Sequence, residues 1–523
     1  MAVQPTIEIG ANGAETPASG GVRDERATAV VAEEKSIGGA ALETLKWMFS
    51  FPAMLGTLLV GWAFSALRTF FVDPDVWWHI RVGQEILRTH HWPTTDPYSF
   101  TVFGTPWIAY EWLGEVAVAS VAKLGGNTGM FLLLFATGAA ALLGLYYLGT
   151  LRSGNCKAGF VPGALMWSLV LLSFNLRPQM FAYLFLLGVL IVLEWFRRGV
   201  SWPLWALPAL FLLWVNTHGT FVVGVGVVAL FLCCGLKSFQ LGNVEMVAWS
   251  PKQRVQLELA LLGSLAVLPI TPYGTKLAAY PFDLMFNQPL VQSSIIEWQP
   301  MPFNEQFGKL FLVTVVAAVT LQIMFRFTWR AEEALLVLGG TAMACLHSRM
   351  LLLFVPFMTP ILAMMIARFL PPYQRAKERY VLNGVLMACV IVAMVHYFPS
   401  REMLQKKVDA DFPVQAVEYL DSHQVPGPMY NDYYFGGYLI GTGRKVFIDG
   451  RADIYERSGV LGDVLNLTQM RTKPLVFLDR YGIESCLLTK GEPLAVVLAA
   501  SPKWKRVYVD GRSAIFVRDA VRQ

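Results

Sequence analysis

Charge is what this chain has least of. Only 15% of its 523 residues are Asp, Glu, Lys or Arg, against roughly 25% in a soluble domain. That scarcity excludes a water-soluble globule, whose surface it could not cover. The basic excess is small, a net charge of +5. Its members lie between apolar runs, not on one face, which excludes a nucleic-acid partner. Cysteine is sparse as well, six in all. Cys156, Cys233, Cys234, Cys345 and Cys389 sit in or beside apolar stretches, and Cys486 stands alone in a polar region, so no disulfide framework is expected. No cleavable signal peptide is visible in residues 1–45, whose Ala/Gly/Glu-rich composition predicts a disordered cytoplasmic tail.

What the chain has is apolar length. Runs near the ~20 residues that span a bilayer fall at about 48–70, 128–150, 159–175, 179–196, 202–216, 219–237, 255–270, 308–326, 332–346, 350–368 and 380–398. They predict a polytopic α-helical membrane protein with about eleven transmembrane helices. The membrane domain is expected over 46–400, with a first external loop at 71–127 and a small extracytoplasmic α/β domain over 401–523. Arg152, Lys157, Arg197, Arg198, Lys237, Lys252, Arg254, Arg326, Arg330, Arg368, Arg375, Lys377 and Arg379 occupy one alternating set of loops. Cations mark the cytoplasmic side, so the N-terminus is expected there and the C-terminal domain outside the cytoplasmic (inner) membrane.

The other face collects the unusual polar residues. They lie in "DPDVWWHIR" (73–81), "NLRPQ" (175–179), "NTHG" (216–219), "TPYG" (271–274), "SSIIEWQP" (293–300) and "HSRM" (347–350). An ionisable group at a membrane helix end is a functional candidate by default, although Trp, Tyr and Arg also serve as interfacial anchors. Within the first loop, "VWWHIRVGQEILRTH" and "EWLGEVAVASVAKLGGN" have the pattern of surface helices, the second ending at Gly125 and Gly126. Asp73 and Asp75 then stand between a membrane exit and a surface helix. Helix capping is the structural alternative for Asp75, and a proline turn for Asp73.

A carboxylate closing the first membrane helix and opening such a loop resembles the GT-C glycosyltransferases, membrane enzymes that use polyprenyl-phosphate-linked sugars. The match is most similar to oligosaccharyltransferase catalytic subunits. Asp75-Val76-Trp77-Trp78-His79-Ile80-Arg81 resembles their first-loop motif, and Ser294-Ile295-Ile296-Glu297 their Ser/Thr-x-x-Glu motif. "YNDYYFGGY" (430–438) is a loose counterpart of Trp-Trp-Asp-Tyr-Gly. The resemblance implies a sugar donor on polyprenyl phosphate, with Asp75 as base or metal-organising carboxylate and Asp73 as its alternate. Glu297 would orient the acceptor or complete a Mg or Mn site with Asp75. Acceptor identity (glycan, lipid or protein) is not carried over, because the peptide-recognition motif is not truly present; "NLRPQ" lacks the family's second-loop acidic metal ligands, so a metal site would need Asp73 or Asp96 to compensate.

The chemistry supports this reading independently. Transfer from a lipid phosphate needs a base for the acceptor and positive charge for the departing phosphate. Arg177, His218, His347 and Arg349 are candidates for the phosphate, with a pair to Glu297 or Asp75 the alternative for Arg349; His79, Arg81, Asn216 and Tyr273 join them as substrate-binding candidates. Trp77, Trp78 and Trp298 could stack on a sugar. Arg81 is expected to pair locally more than to touch phosphate. In the C-terminal region, "FPVQAVEYLDSH" predicts a helix and "KVFIDGR" a strand, and "YNDYYFGGYLIG" and "IDGRADIYER" read either as turns built on their glycines and aspartates or as acceptor- or glycan-contacting loops of a lid. The rival readings are a transporter or flippase, which the missing internal repeat opposes, and a non-catalytic subunit of an envelope polysaccharide system.

Overall fold

The computed structural model describes residues 42–68, 73–171 and 174–519, so the expected tail falls outside it up to residue 41. The chain opens with α1 (Leu42–Met48), α2 (Phe51–Leu67), α3 (Val76–Thr89), α4 (Trp112–Ser153), α5 (Cys156–Val170) and α6 (Gln179–Arg197). There follow α7 (Leu207–Val215), α8 (Phe221–Cys234), α9 (Pro251–Ala266), α10 (Thr275–Asn287), α11 (Pro289–Ser294), α12 (Gln306–Phe325), α13 (Ala331–Leu346), α14 (Leu351–Ala367) and α15 (Tyr380–His396). Each apolar run of the sequence therefore falls on a helix. Among the described residues four helices are long and apolar enough to cross a membrane, or up to six if each bent pair forms one span.

Local chemistry sets the helix limits. Ser50 accepts the Ala53 N–H at the start of α2, and Ser250 with Gln253 closes a capping box on α9. Inside α4, Gly126 takes φ 54° and ψ −142°. That left-handed break divides the first-loop segment from the apolar run after it. Small residues then let α4 meet α5 closely: a Cβ on Gly159 would come 2.7 Å from the Tyr146 carbonyl. Strands β1 (Phe239–Leu241), β2 (Val244–Met246) and β3 (Trp329–Arg330) form a small separate sheet.

After α16 (Arg401–Asp411) comes an α/β unit. Its helices are α17 (Val414–Ser422), α18 (Gly436–Gly441), α19 (Ala452–Arg457), α20 (Val460–Thr468), α21 (Pro474–Arg480) and α22 (Pro493–Ala500). Strands β4 (Met429–Asn431), β5 (Ser485–Thr489), β6 (Trp504–Val509) and β7 (Ser513–Arg518) align as β4-β5-β7-β6. In this sheet the β4–β5 pair is parallel, and the β5–β7 and β6–β7 pairs are antiparallel. "KVFIDGR" is not in this sheet, contrary to the sequence pattern. Its backbone partners come from the first loop instead, with Phe100 N–H on Val446 O (3.0 Å) and Val446 N–H on Tyr98 O (3.1 Å). One apolar core accordingly runs across the junction, joining Trp78, Val82 and Trp107 to Phe435, Leu439 and Phe447.

Candidate active site

The first loop enters the site through a tight turn. Asp73 Oδ1 accepts the Asp75 N–H at 2.9 Å, which leaves Asp75 as the residue before α3. Its side chain makes no capping hydrogen bond, so the structural alternative for Asp75 is not what its geometry serves. Asp75 Oδ2 instead lies 3.1 Å from Arg177 Nη2.

Arg177 is the hub. It sits in the irregular segment between α5 and α6, with Nε 2.7 Å from Asp73 Oδ1 and Nη1 3.6 Å from Glu297 Oε1. Asn175 holds the second Asp73 oxygen at 3.1 Å. Glu297 lies on a single 3₁₀ turn, Ile296–Trp298, and its other oxygen meets Arg349 Nη1 at 3.2 Å. Arg349 also donates to the Gln179 side chain and lies 5.8 Å from the Trp298 ring. The two turns are tied together: Ser348 Oγ donates to Glu297 O (3.1 Å) and the His347 ring meets Trp298 O at 2.7 Å.

A second buried group adjoins the first. His79 Nδ1 lies 3.3 Å from Glu115 Oε1 and its Nε2 lies 3.7 Å from Glu111 Oε2. Glu111 Oε1 in turn faces His218 Nε2 at 3.3 Å. Burial, helped by Arg177 and the neighbouring His218, drives the His79 pKa well below its usual value. Burial and then Arg349 lower that of His218 to about 3, so both rings are neutral. Burial pushes Glu111 up to about 8 against the pull of Arg349 and Arg177. Asp75 is pushed up to about 6 by burial and by the charge of Asp73, with Arg177 opposing. Burial would also raise Glu297, but Arg349 and Arg177 outweigh it and hold the carboxyl below its usual range.

The remaining candidates have other neighbours. Arg81 pairs with Glu85 at 2.9 Å and enters none of these ion pairs. Asn216 accepts from Trp112 Nε1 (2.8 Å) and donates to Leu212 O and Ile270 O, a knot between segments. Tyr273 OH donates to Pro93 O and accepts from Ala109 N–H. Trp77 packs edge-on against Phe412 and Tyr438, Trp78 lies 3.6 Å from the His79 ring, and Trp298 packs on His347. A divalent ion shared by Asp75 and Glu297 does not fit this arrangement, because the Arg177 guanidinium already bridges them. Among the described residues no group of three His, Cys, Asp or Glu side chains is disposed to hold a metal.

Sequence reading did not single out Glu111, Glu115, Asn175 or Gln179. For the two glutamates a signal existed: "EWLGE" spaces them four apart at a helix start, on one face.

No protein-family model and no curated protein matches the chain. Solved structures do. One is the oligosaccharyltransferase of Archaeoglobus fulgidus tethered to an acceptor peptide containing the NVT sequon. It aligns with TM-score 0.50 and 11% identity, over 84% of this chain and 70% of that one. Another is ArnT from Cupriavidus metallidurans bound to undecaprenyl phosphate, with TM-score 0.50 and 13% identity, over 89% and 97%. ArnT in the apo state aligns at TM-score 0.50 and 14% identity, over 90% and 97%. Both proteins are GT-C glycosyltransferases, and at these identities the likeness establishes a GT-C-like fold.

Proposed function

We propose that the protein is a multi-pass membrane glycosyltransferase that moves a sugar from a polyprenyl-phosphate-linked donor to an acceptor on the extracytoplasmic face. The observation that carries this reading is Arg177, ion-paired with Asp73, Asp75 and Glu297 at the helix ends of a GT-C-like fold, beside Arg349.

Of the two aspartates, Asp75 is the base. Asp73 is committed to Arg177, Asn175 and the Asp75 N–H, whereas Asp75 has one oxygen on Arg177 and a side chain 16% exposed. In the reaction Asp75 takes the proton of the acceptor's nucleophilic O–H or N–H. The acceptor atom bonds to the anomeric carbon as that carbon's bond to the phosphate oxygen breaks. The electron pair leaves with the polyprenyl phosphate, whose charge Arg349 and Arg177 meet. On donor binding Arg349 exchanges Glu297 for phosphate, which frees Glu297 to orient the acceptor.

Membranes containing the protein, supplied with labelled polyprenyl-phospho-sugars, test this. Label transferred to a product absent from protein-free membranes is expected. Failure with every donor, mono- and diphosphate alike, overturns the reading.

A further inference from the structure

We infer that the C-terminal domain supplies part of this reaction site, with Gly450 as the positioning residue that fixes where the Asp75 carboxylate points. The inference rests on the proposed function. A Cβ built on Gly450 would overlap Asp75 Oδ1, with Asp75 Cγ 2.7 Å and Oδ2 3.2 Å away. The carboxylate is thus gripped from two sides, by the Arg177 guanidinium 3.1 Å from Oδ2 and by a bare Cα against Oδ1. Gly450 is not in the left-handed region, so its backbone conformation does not call for glycine. The space beside Asp75 does.

What holds Gly450 there is its neighbour. Arg451 is completely buried, with Nη1 2.6 Å from Asp96 Oδ1 in the first loop and Nε and Nη2 on Asp449 at 2.8 and 2.7 Å. The rings of Tyr98 and Trp107 lie 5.1 and 4.8 Å from the guanidinium carbon. A buried pair with both partners present and further hydrogen bonds to each makes a rigid joint. The loop carrying Gly450 is therefore registered to the loop carrying Asp75, and the reacting carboxylate inherits that register.

The test is a double-mutant cycle on the full chain, with transfer from a polyprenyl-phospho-sugar as readout. Gly450→Ala should lower kcat at least tenfold and leave the donor KM unchanged. Combined with Asp75→Asn it should cost nothing beyond Asp75→Asn alone, because the group it displaces is already inert. Near-normal kcat in Gly450→Ala, or losses that multiply in the double variant, overturn the inference. Near-normal transfer in Asp75→Asn would instead sink the base assignment, so the two failures are distinguishable. Should Gly450→Ala not be recovered folded, Asp75→Ala/Gly450→Ala decides without any substrate. Removing the carboxylate opens the space, so restored yield and melting temperature support the contact. An unrestored yield overturns it.

Discussion

Helix α6, which rises roughly 28 Å, separates two arginines threaded through carboxylates, Arg177 in the segment just before it and Arg197 at its last residue. At the far end Arg197 meets Glu194 (3.0 Å), Glu332 (2.9 Å) and Glu333 (2.7 Å), Arg152 meets Glu333 (2.6 Å), and Arg198 meets Glu194 (3.2 Å). Cations and anions balance there, and every one belongs to α4, α6 or α13 or to the residue that ends α6. At the near end, among the described residues, Asp73, Asp75 and Glu297 share only Arg177 and Arg349, and the five residues sit on turns and irregular backbone. The same side chains thus make a clamp where charge is matched on helices, and a candidate site where it is left over on loops.

The sharpest way to break that contrast is Arg197→Ala. Removing one partner from a buried network costs about 3–5 kcal/mol. Folded yield and melting temperature should fall steeply while transfer per folded molecule stays normal; a rate loss outrunning the melting loss would erase the distinction between the two ends. Arg349→Ala should do the reverse. Glu297 keeps Arg177, so the fold should hold. The donor KM should rise about tenfold to a hundredfold, as expected for a charged hydrogen bond of roughly 1.5–3 kcal/mol.

The pH profile sharpens the comparison further. A base must be ionised, and burial has raised Asp75 from an ordinary value near 3.8 to about 6. Activity should therefore be full above that value and fall about tenfold per pH unit below it, measured as kcat/KM. A limb near pH 4 would mean that the reacting carboxylate is not this one. The smallest effect belongs to Arg81→Ala. Its pair with Glu85 is an i,i+4 contact with both side chains partly exposed, worth about 0.2–1 kcal/mol. Rate and melting should barely move.

How much of this was legible in the sequence depended on whether the signal was local. Apolar runs are local, and helices occupy all of them. The surface-helix pattern after Asp75 is local as well, and α3 lies there. The sequence puts Asp75, Arg177, Glu297 and Arg349 on one face and offers Arg349 a lipid phosphate, Glu297 or Asp75 as partner; the bridge that Arg177 makes between Asp75 and Glu297 joins segments more than a hundred residues apart, which no local pattern records. The sequence pattern of "KVFIDGR" alternates like a strand, yet Val446 pairs its backbone with the first loop while the Asn431 side chain accepts from Phe447 N–H and donates to Ile448 O, a competition no local period records. Arg451 was hidden for a like reason. It lies in a stretch read as a binding loop, and its burial is met by Asp449 two residues before it and by Asp96 far upstream, the second of which no local pattern records.

One measurement bears most directly on the central claim that the near cluster reacts and the far cluster holds. Transfer per folded molecule is compared in wild type, Asp75→Asn and Glu333→Gln, with labelled polyprenyl-phospho-sugar and with yield and melting followed in parallel. A positioned base is typically worth 10²–10⁴-fold. Asp75→Asn should lose on that order with yield and melting intact, and Glu333→Gln should lose yield and keep its rate. Near-normal transfer in Asp75→Asn, with Asp73→Asn also active, would contradict the account and leave the near cluster as scaffolding.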